Sequence, residues 1–242
     1  MGPGAAAAGL HPGGARCHGQ ERCDHADGRG DHRLSLVVRG AQKAFGITPD
    51  LCIQAKIVAG GLPGGAVAGK REILDQIDFA ASAAKRRDKI AHPGTYNANP
   101  LSAAAAVTAL SLVRDEDLAE KANRTAAELR AALRQVLIEE SVPWGIYGDS
   151  SAFLIYPNPT GEAVNPATFD PLKLGFAKLK GAKSGALTGK IRMGLMSHGV
   201  DIMGAPGGFV SATHGGAEIE KTVQALRQTV RALKAEREVK VA

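Results

Sequence analysis

Lys56 is the first residue whose setting asks for chemistry. Cys52, Ile53, Ala55, Ile57 and Val58 surround it, so its amine is expected inside an apolar run. A buried lysine is rare unless it is paired or used. Desolvation disfavours the ammonium form and leaves an amine that is nucleophilic towards aldehydes. The competing reading is a lysine at a strand edge that snorkels to solvent. A second candidate is Gly94-Thr95-Tyr96-Asn97-Ala98-Asn99-Pro100. A threonine hydroxyl and unpaired backbone N–H groups just before a helix start make an anion site. The plain alternative is N-capping by Asn99, with Pro100 at the first helical position, which occurs whether or not an anion binds.

Two weaker patterns fail on their own requirements. Gly64-Gly65-Ala66-Val67-Ala68-Gly69-Lys70 fits the first seven positions of a phosphate-cradling G-x-x-x-x-G-K loop. The eighth position needs a Ser or Thr hydroxyl for magnesium, and Arg71 stands there. A glycine-rich turn between short strands is the better reading. Cys17, His18, Cys23, His25 and His32 form a cluster without the ligand spacing of a zinc site, so no metal is expected. Arg29-Gly30-Asp31 resembles an adhesion tripeptide but is too short to be specific.

These candidates need elements to hold them. Residues 51–59 read as a buried strand with Lys56 near its end. Residues 60–65 read as a loop, 66–68 as a short strand, and 69–74 as the start of a helix. After Asn99 the sequence predicts a long alanine-rich helix over residues 101–113. A second helix over about 116–139 has Leu118, Ala122, Leu129, Leu133 and Val136 on one face, and Pro143 and Gly145 end it. Beyond it, strands are expected at 151–156, 191–196 and 209–212, with a loop or turn at 166–175 and a helix over 173–180. An amphipathic closing helix spans 217–236, with Ile219, Val223, Leu226, Val230 and Leu233 at helical spacing. The order points to an α/β part followed by a smaller α+β part.

Composition narrows the classes further. The chain has 242 residues and 44% hydrophobic content, enough for one large domain or two small ones. Aromatics are only 4%, so alanine and aliphatic residues must build the core. The formal charge of +6 is scattered, apart from Lys85-Arg86-Arg87 and the last helix. Neither cluster alternates with aromatics, so no nucleic-acid partner is expected. Three cysteines argue against a disulfide framework. No apolar run is long enough to span a bilayer, so no membrane partner is expected. The start lacks a signal-peptide pattern, and the expected compartment is the cytoplasm. Residues 1–32 hold His11, His18, His25 and His32 but no Val, Ile or Phe, and they are expected to be disordered or aberrant.

Four segments occur in one order. They are Gly46-Ile47-Thr48-Pro49-Asp50, then Lys56 to Ala66 (KIVAGGLPGGA), then Gly94-Thr95-Tyr96-Asn97-Ala98-Asn99-Pro100-Leu101, then Gly199-Val200 with Gly208-Phe209-Val210-Ser211-Ala212-Thr213-His214. Over residues 33–236 the chain resembles the class III aminotransferases, most closely their glutamate-1-semialdehyde aminomutase branch. The resemblance implies an aspartate-aminotransferase-like (type I) fold that uses pyridoxal 5'-phosphate and works as a homodimer with shared active sites. It implies that Lys56 holds the cofactor covalently and then shuttles a proton, with the cofactor as electron sink. It implies that Thr95, after Gly94, reaches the cofactor phosphate of the other subunit. The substrate would be a small amino acid, with amino-group transfer giving 5-aminolevulinate, a tetrapyrrole precursor. Another class III transaminase acting on an ω- or β-amino acid, or a non-catalytic remnant, stays open.

The same resemblance implies a division. Residues 1–32 stand apart, residues 33–115 end a cofactor-binding large domain, and residues 116–242 form a small domain. The family's long preceding region, with its phosphate loop and ring-stacking aromatic, has no counterpart here. Its Asp-Glu-Val signature is replaced by Gly28-Arg29-Gly30-Asp31-His32. Codons for Asp-Glu-Val-Ile-Thr read one nucleotide early give Gly-Arg-Gly-Asp-His. Residues 1–32 are therefore expected to be out-of-frame translation, with frame regained near Arg33, and the fragment is expected to be impaired. Asp31 is accordingly not assigned to the cofactor's ring nitrogen.

Overall fold

The computed structural model describes residue 42 and residues 46–182 and 185–239. The Cys/His cluster and Asp31 lie outside the described residues. The chain divides into two compact units, Met1–Asp117 and Leu118–Ala242.

In the first unit, β1 (Leu51–Ala55) pairs antiparallel with β2 (Gly65–Gly69), with Cys52 opposite Ala68 and Ala55 opposite Gly65. The strand expected over 51–59 therefore stops at Ala55, and residues Lys56–Ala59 form a 3-10 turn. The reason is the glycine run that follows. Gly60 and Gly61 take φ of 62° and 88°, which turns the chain back so that β2 can pair with β1. Of β1 only Cys52 is buried, so the ribbon is not the core strand its apolar run implied.

Helices α1 (Arg71–Leu74) and α2 (Phe79–Ala84) follow. Asp78 caps α2 by accepting from the Ala81 N–H at 2.7 Å. Helix α3 (Pro100–Asp115) starts at the expected cap, with Asn99 Oδ1 accepting from the N–H groups of Leu101 and Ser102 at 3.0 and 3.1 Å. Leu101, Val107 and Leu112 on α3 are exposed.

The second unit holds the larger core. Helix α4 (Leu118–Glu139) buries Ala122, Ala126, Leu129, Leu133, Val136 and Leu137, at the 3–4 spacing read from sequence. It is followed by a three-stranded antiparallel sheet in the order β3 (Gly145–Tyr147), β4 (Ala152–Tyr156) and β5 (Gly207–Phe209). Between β4 and β5 lie α5 (Pro171–Leu174), α6 (Phe176–Gly181) and α7 (Ala186–Ser197). The closing helix α8 (Gly216–Ala235) packs on α4 and α7, burying Leu226, Val230 and Leu233. Trp144, Ile146, Phe153, Ile155, Ile191 and Leu195 belong to the same cluster.

Three expectations for this unit are corrected. Residues 191–196 are helix, not strand. Ile191, Met193 and Leu195 mimic a period of two, but Thr188, Ile191 and Leu195 are the buried set and Met193 is exposed. The last strand is Gly207–Phe209 rather than 209–212, because pairing is set by β4, where Phe153 faces Gly208. The loop expected at 166–175 contains a 3-10 turn, Pro166–Thr168, and α5, each started by an Asx cap and a proline. Among the described residues, no helix is long and apolar enough to cross a membrane.

Candidate functional site

Lys56 is the residue where β1 ends. Ala55 is extended at φ −150°, and Lys56 then enters the left-handed region at φ 60°. For a residue with a Cβ this conformation is costly, by roughly 1–2 kcal/mol. Such strain persists only where the surroundings fix it, and it concentrates at functional sites. The side chain is exposed, not buried as the apolar run implied. The burial falls instead on Val58 and Ala59, which the 3-10 turn directs inward. Lys56 thus shares a positive φ with seven other described non-glycine residues, and what is particular to it is that the turn sits at the end of a strand.

The turn that carries Lys56 is seated on α3. A Cβ on Gly60 would collide with the Ala105 carbonyl oxygen, so only glycine permits this approach. A Cβ on Gly64 would stand 2.8 Å from the Ala59 methyl carbon. Ser102 Oγ donates to the Pro63 carbonyl at 2.8 Å. Helix α3 therefore positions the loop after Lys56, and residues 94–100 lead directly into the same helix.

Residues 95–98 form a turn. The Asn97 N–H donates to the Gly94 carbonyl at 3.0 Å, and Asn97 Nδ2 donates to the His92 carbonyl at 3.0 Å. A Cβ on Gly94 would stand 2.6 Å from Asn97 Oδ1, so a side chain there would displace the Asn97 amide. Thr95 is exposed in this turn. The capping alternative is realised, since Asn99 takes the N–H groups of Leu101 and Ser102. An anion at this end would be met by the Thr95 hydroxyl and by the positive end of α3, whose first amides already have a partner.

The glycine-rich 64–70 segment is mostly strand, not a loop. Residues Gly65–Gly69 are a paired strand, and Lys70 Nζ lies 2.6 Å from Asp50 Oδ1. That bond and the Asp50 charge hold the Lys70 ammonium above its usual range. Among the described residues, no group of three or more His, Cys, Asp or Glu is placed to hold a metal.

In the second unit Gly208, Phe209, Val210 and His214 line a cleft of about 480 Å³ together with Thr125, Leu129, Phe153, Arg192 and Asp201. Arg192 donates through Nε and Nη2 to Asp201 Oδ1, both at 3.1 Å. His214 Nδ1 accepts the Ser211 N–H at 2.9 Å, which leaves the ring proton of a neutral imidazole on Nε2. The Gly215 N–H donated to Glu218 holds that carboxyl below its usual range. Arg192 and Asp201 carry no sequence signal, because Arg192 lies in a stretch whose alternation resembles a strand and its partner is nine residues on.

Residues 148–151 join β3 to β4, and Ala152 and Phe153 begin β4. Arg130 Nη1 donates to the Ser150 and Ala152 carbonyls at 2.8 and 2.6 Å and clamps this connection from α4.

Residues 40–148 match the family model for aminotransferase class-III. The glutamate-1-semialdehyde 2,1-aminomutase of Methanosarcina acetivorans is 32% identical over 192 residues, covering 78% of this chain and 41% of that protein. The one from Methanothermobacter thermautotrophicus is 33% identical over 201 residues, covering 82% of this chain and 43% of that protein. The chain thus spans about two-fifths of the length of these relatives. Among solved structures, an omega-transaminase from Sphaerobacter thermophilus aligns with a TM-score of 0.66 at 28% identity, over 87% of this chain and 46% of that one. A glutamate-1-semialdehyde aminomutase from Pseudomonas aeruginosa PAO1 shares the fold at TM-score 0.66 and 21% identity, over 84% of this chain and 43% of that one.

Proposed function

From the premise that residues 40–148 are an aminotransferase class-III domain, we propose that this chain is part of a pyridoxal 5'-phosphate enzyme that moves an amino group on a small amino acid. The observation that carries this is Lys56, an exposed lysine held at φ 60° where a strand gives way to a turn, with the 94–100 loop leading into the helix that seats that turn. The donor set suits the cofactor's two ends. A primary amine meets an aldehyde, and a threonine hydroxyl beside a positive helix end meets a phosphate. The bound cofactor supplies the electron sink for amino-group chemistry.

In this reading Lys56 anchors the cofactor and, once displaced, carries the proton at its Nζ. Thr95 and the Gly94 turn take the phosphate, across a homodimer as the resemblance implies. The preferred reaction is that of the aminomutase relatives, which give this activity its name at 32–33% identity. Conversion of glutamate 1-semialdehyde to 5-aminolevulinate is the reaction to assay. A second reading, transfer from an ω-amino donor, is favoured by the 28%-identical omega-transaminase. A cytoplasmic setting accords with both readings.

The test is covalent fixation. The full chain is incubated with pyridoxal 5'-phosphate, reduced with borohydride, digested and mapped by mass spectrometry. The proposal expects the adduct at Lys56, and its weakening in Thr95→Ala by about tenfold in cofactor affinity, the worth of one charge-assisted hydrogen bond. An adduct spread over surface lysines, unchanged in Lys56→Ala, sinks it. Product analysis with glutamate 1-semialdehyde, then with an ω-amino donor and an oxo acid, separates the two reactions.

A further inference from the structure

Lys56 holds a backbone conformation that its own side chain disfavours, so something beyond the ribbon must impose it. The ribbon itself ends one residue earlier, with Ala55 opposite Gly65. After Lys56 the chain is tied by short local bonds, Gly60 N–H to the Ile57 carbonyl at 3.0 Å and Leu62 N–H to the Ala59 carbonyl at 3.2 Å. These close the turn on itself but do not orient it. Orientation comes from α3. The Gly60–Ala105 approach is a steric contact that limits distance, and the Ser102 Oγ donation to the Pro63 carbonyl, across 39 residues of sequence, is directional.

Ser102 also stands in the first turn of α3, where its own N–H is taken by Asn99 Oδ1. Asn99 is the residue at which the 94–100 loop becomes helix. Through Asn99 and Ser102, two hydrogen bonds therefore join the loop bearing Gly94 and Thr95 to the loop that follows Lys56. Ser102 is half-buried.

We propose that Ser102 is a positioning residue for Lys56, fixing the 60–65 loop on α3 so that the lysine is held ready at the strand end. This rests on the reading of Lys56 as the cofactor lysine. A hydroxyl at position 102 is required for its donated bond, not for bulk, so threonine should replace it and alanine should not.

The experiment uses the full chain and has two arms. In the cofactor-free arm, native-state hydrogen exchange of the Gly60 and Leu62 amides is compared in wild type, S102A and S102T. Exchange should quicken roughly two- to tenfold in S102A, the range expected for one neutral hydrogen bond, and return to the wild-type rate in S102T. In the second arm, the pH midpoint of the lysine–cofactor absorbance band is measured. It should move in S102A and return in S102T, at a temperature where all three chains are folded. Unchanged exchange in S102A overturns the proposal. So does faster exchange with an unmoved midpoint, which would reduce Ser102 to packing. A wild-type chain that forms no Lys56 adduct overturns the cofactor reading instead, and the proposal with it. The exchange arm, needing no cofactor, tells that failure apart from the failure of Ser102 to hold the turn.

Discussion

Gly194 in α7 packs against Thr229 in α8 so closely that a Cβ at residue 194 would stand 2.5 Å from the Thr229 methyl carbon. Thr229 is 1% exposed and has no room to retreat. Gly194→Ala gains up to about 1 kcal/mol of helix propensity, but overpacking a close helix contact costs about 1–3 kcal/mol. The expected outcome is a net loss of about 1 kcal/mol in urea unfolding. Adding Thr229→Ala should recover part of it, so a double-mutant cycle with no coupling would refute the contact.

The left-handed backbone at Lys56 separates stability from function. Lys56→Gly and Lys56→Ala should both abolish the borohydride-fixed adduct. Because glycine tolerates φ 60° and alanine does not, the glycine variant should be more stable than the alanine one by about 1 kcal/mol. Equal melting temperatures for the two would contradict the assigned conformation.

Arg130 should be a stability residue of the second unit and not of the chemistry. Burial pushes its guanidinium below the usual arginine range, against the opposing pull of Asp149. Its two donated bonds hold the β3–β4 turn at Ser150 and Ala152. Arg130→Met should cost about 2 kcal/mol, from two lost charge-assisted bonds partly offset by retained packing. Trp144, the chain's one tryptophan and 1% exposed, reports the transition by fluorescence. Cofactor fixation at Lys56 should be unaffected.

The pH dependence of this unit should carry the mark of Glu140. A side-chain bond from Arg231, and next a bond from Arg227, hold its carboxyl below the usual glutamate range. A depressed carboxyl stabilises the fold fully above its unfolded value, about 4.3, and that contribution fades as pH falls through the lower folded value. Arg231 is half exposed, so solvent screening limits the effect to about 1 kcal/mol. Glu140→Gln should be less stable than wild type at pH 7, with the difference closing below pH ~4. A difference that stays constant down to strongly acid pH would rule out the carboxylate as its source.

Much of this protein was legible in the sequence where the signal is local. The faces of α4 and α8 follow from the spacing of Leu129, Leu133 and Val136, and of Leu226, Val230 and Leu233. The start of α3 follows from Asn99-Pro100, because a capping side chain and a proline act within three residues of themselves. The four ordered segments carry, without any structure, the resemblance to the class III aminotransferases, and residues 40–148 match that family model.

What the sequence misread depended on contacts distant along the chain. The apolar residues around Lys56 looked like a core strand, yet the glycines after it fold the chain back and leave the lysine exposed. Residues 191–196 alternate well enough to suggest a strand, and only packing against α8 selects the 3.6 period that buries Ile191 and Leu195. Ser102 carried no signal at all, since its partner Pro63 lies 39 residues away. Local propensity determines where a helix begins, but which face is covered, and which backbone strain is held, is decided by the neighbour that tertiary structure brings.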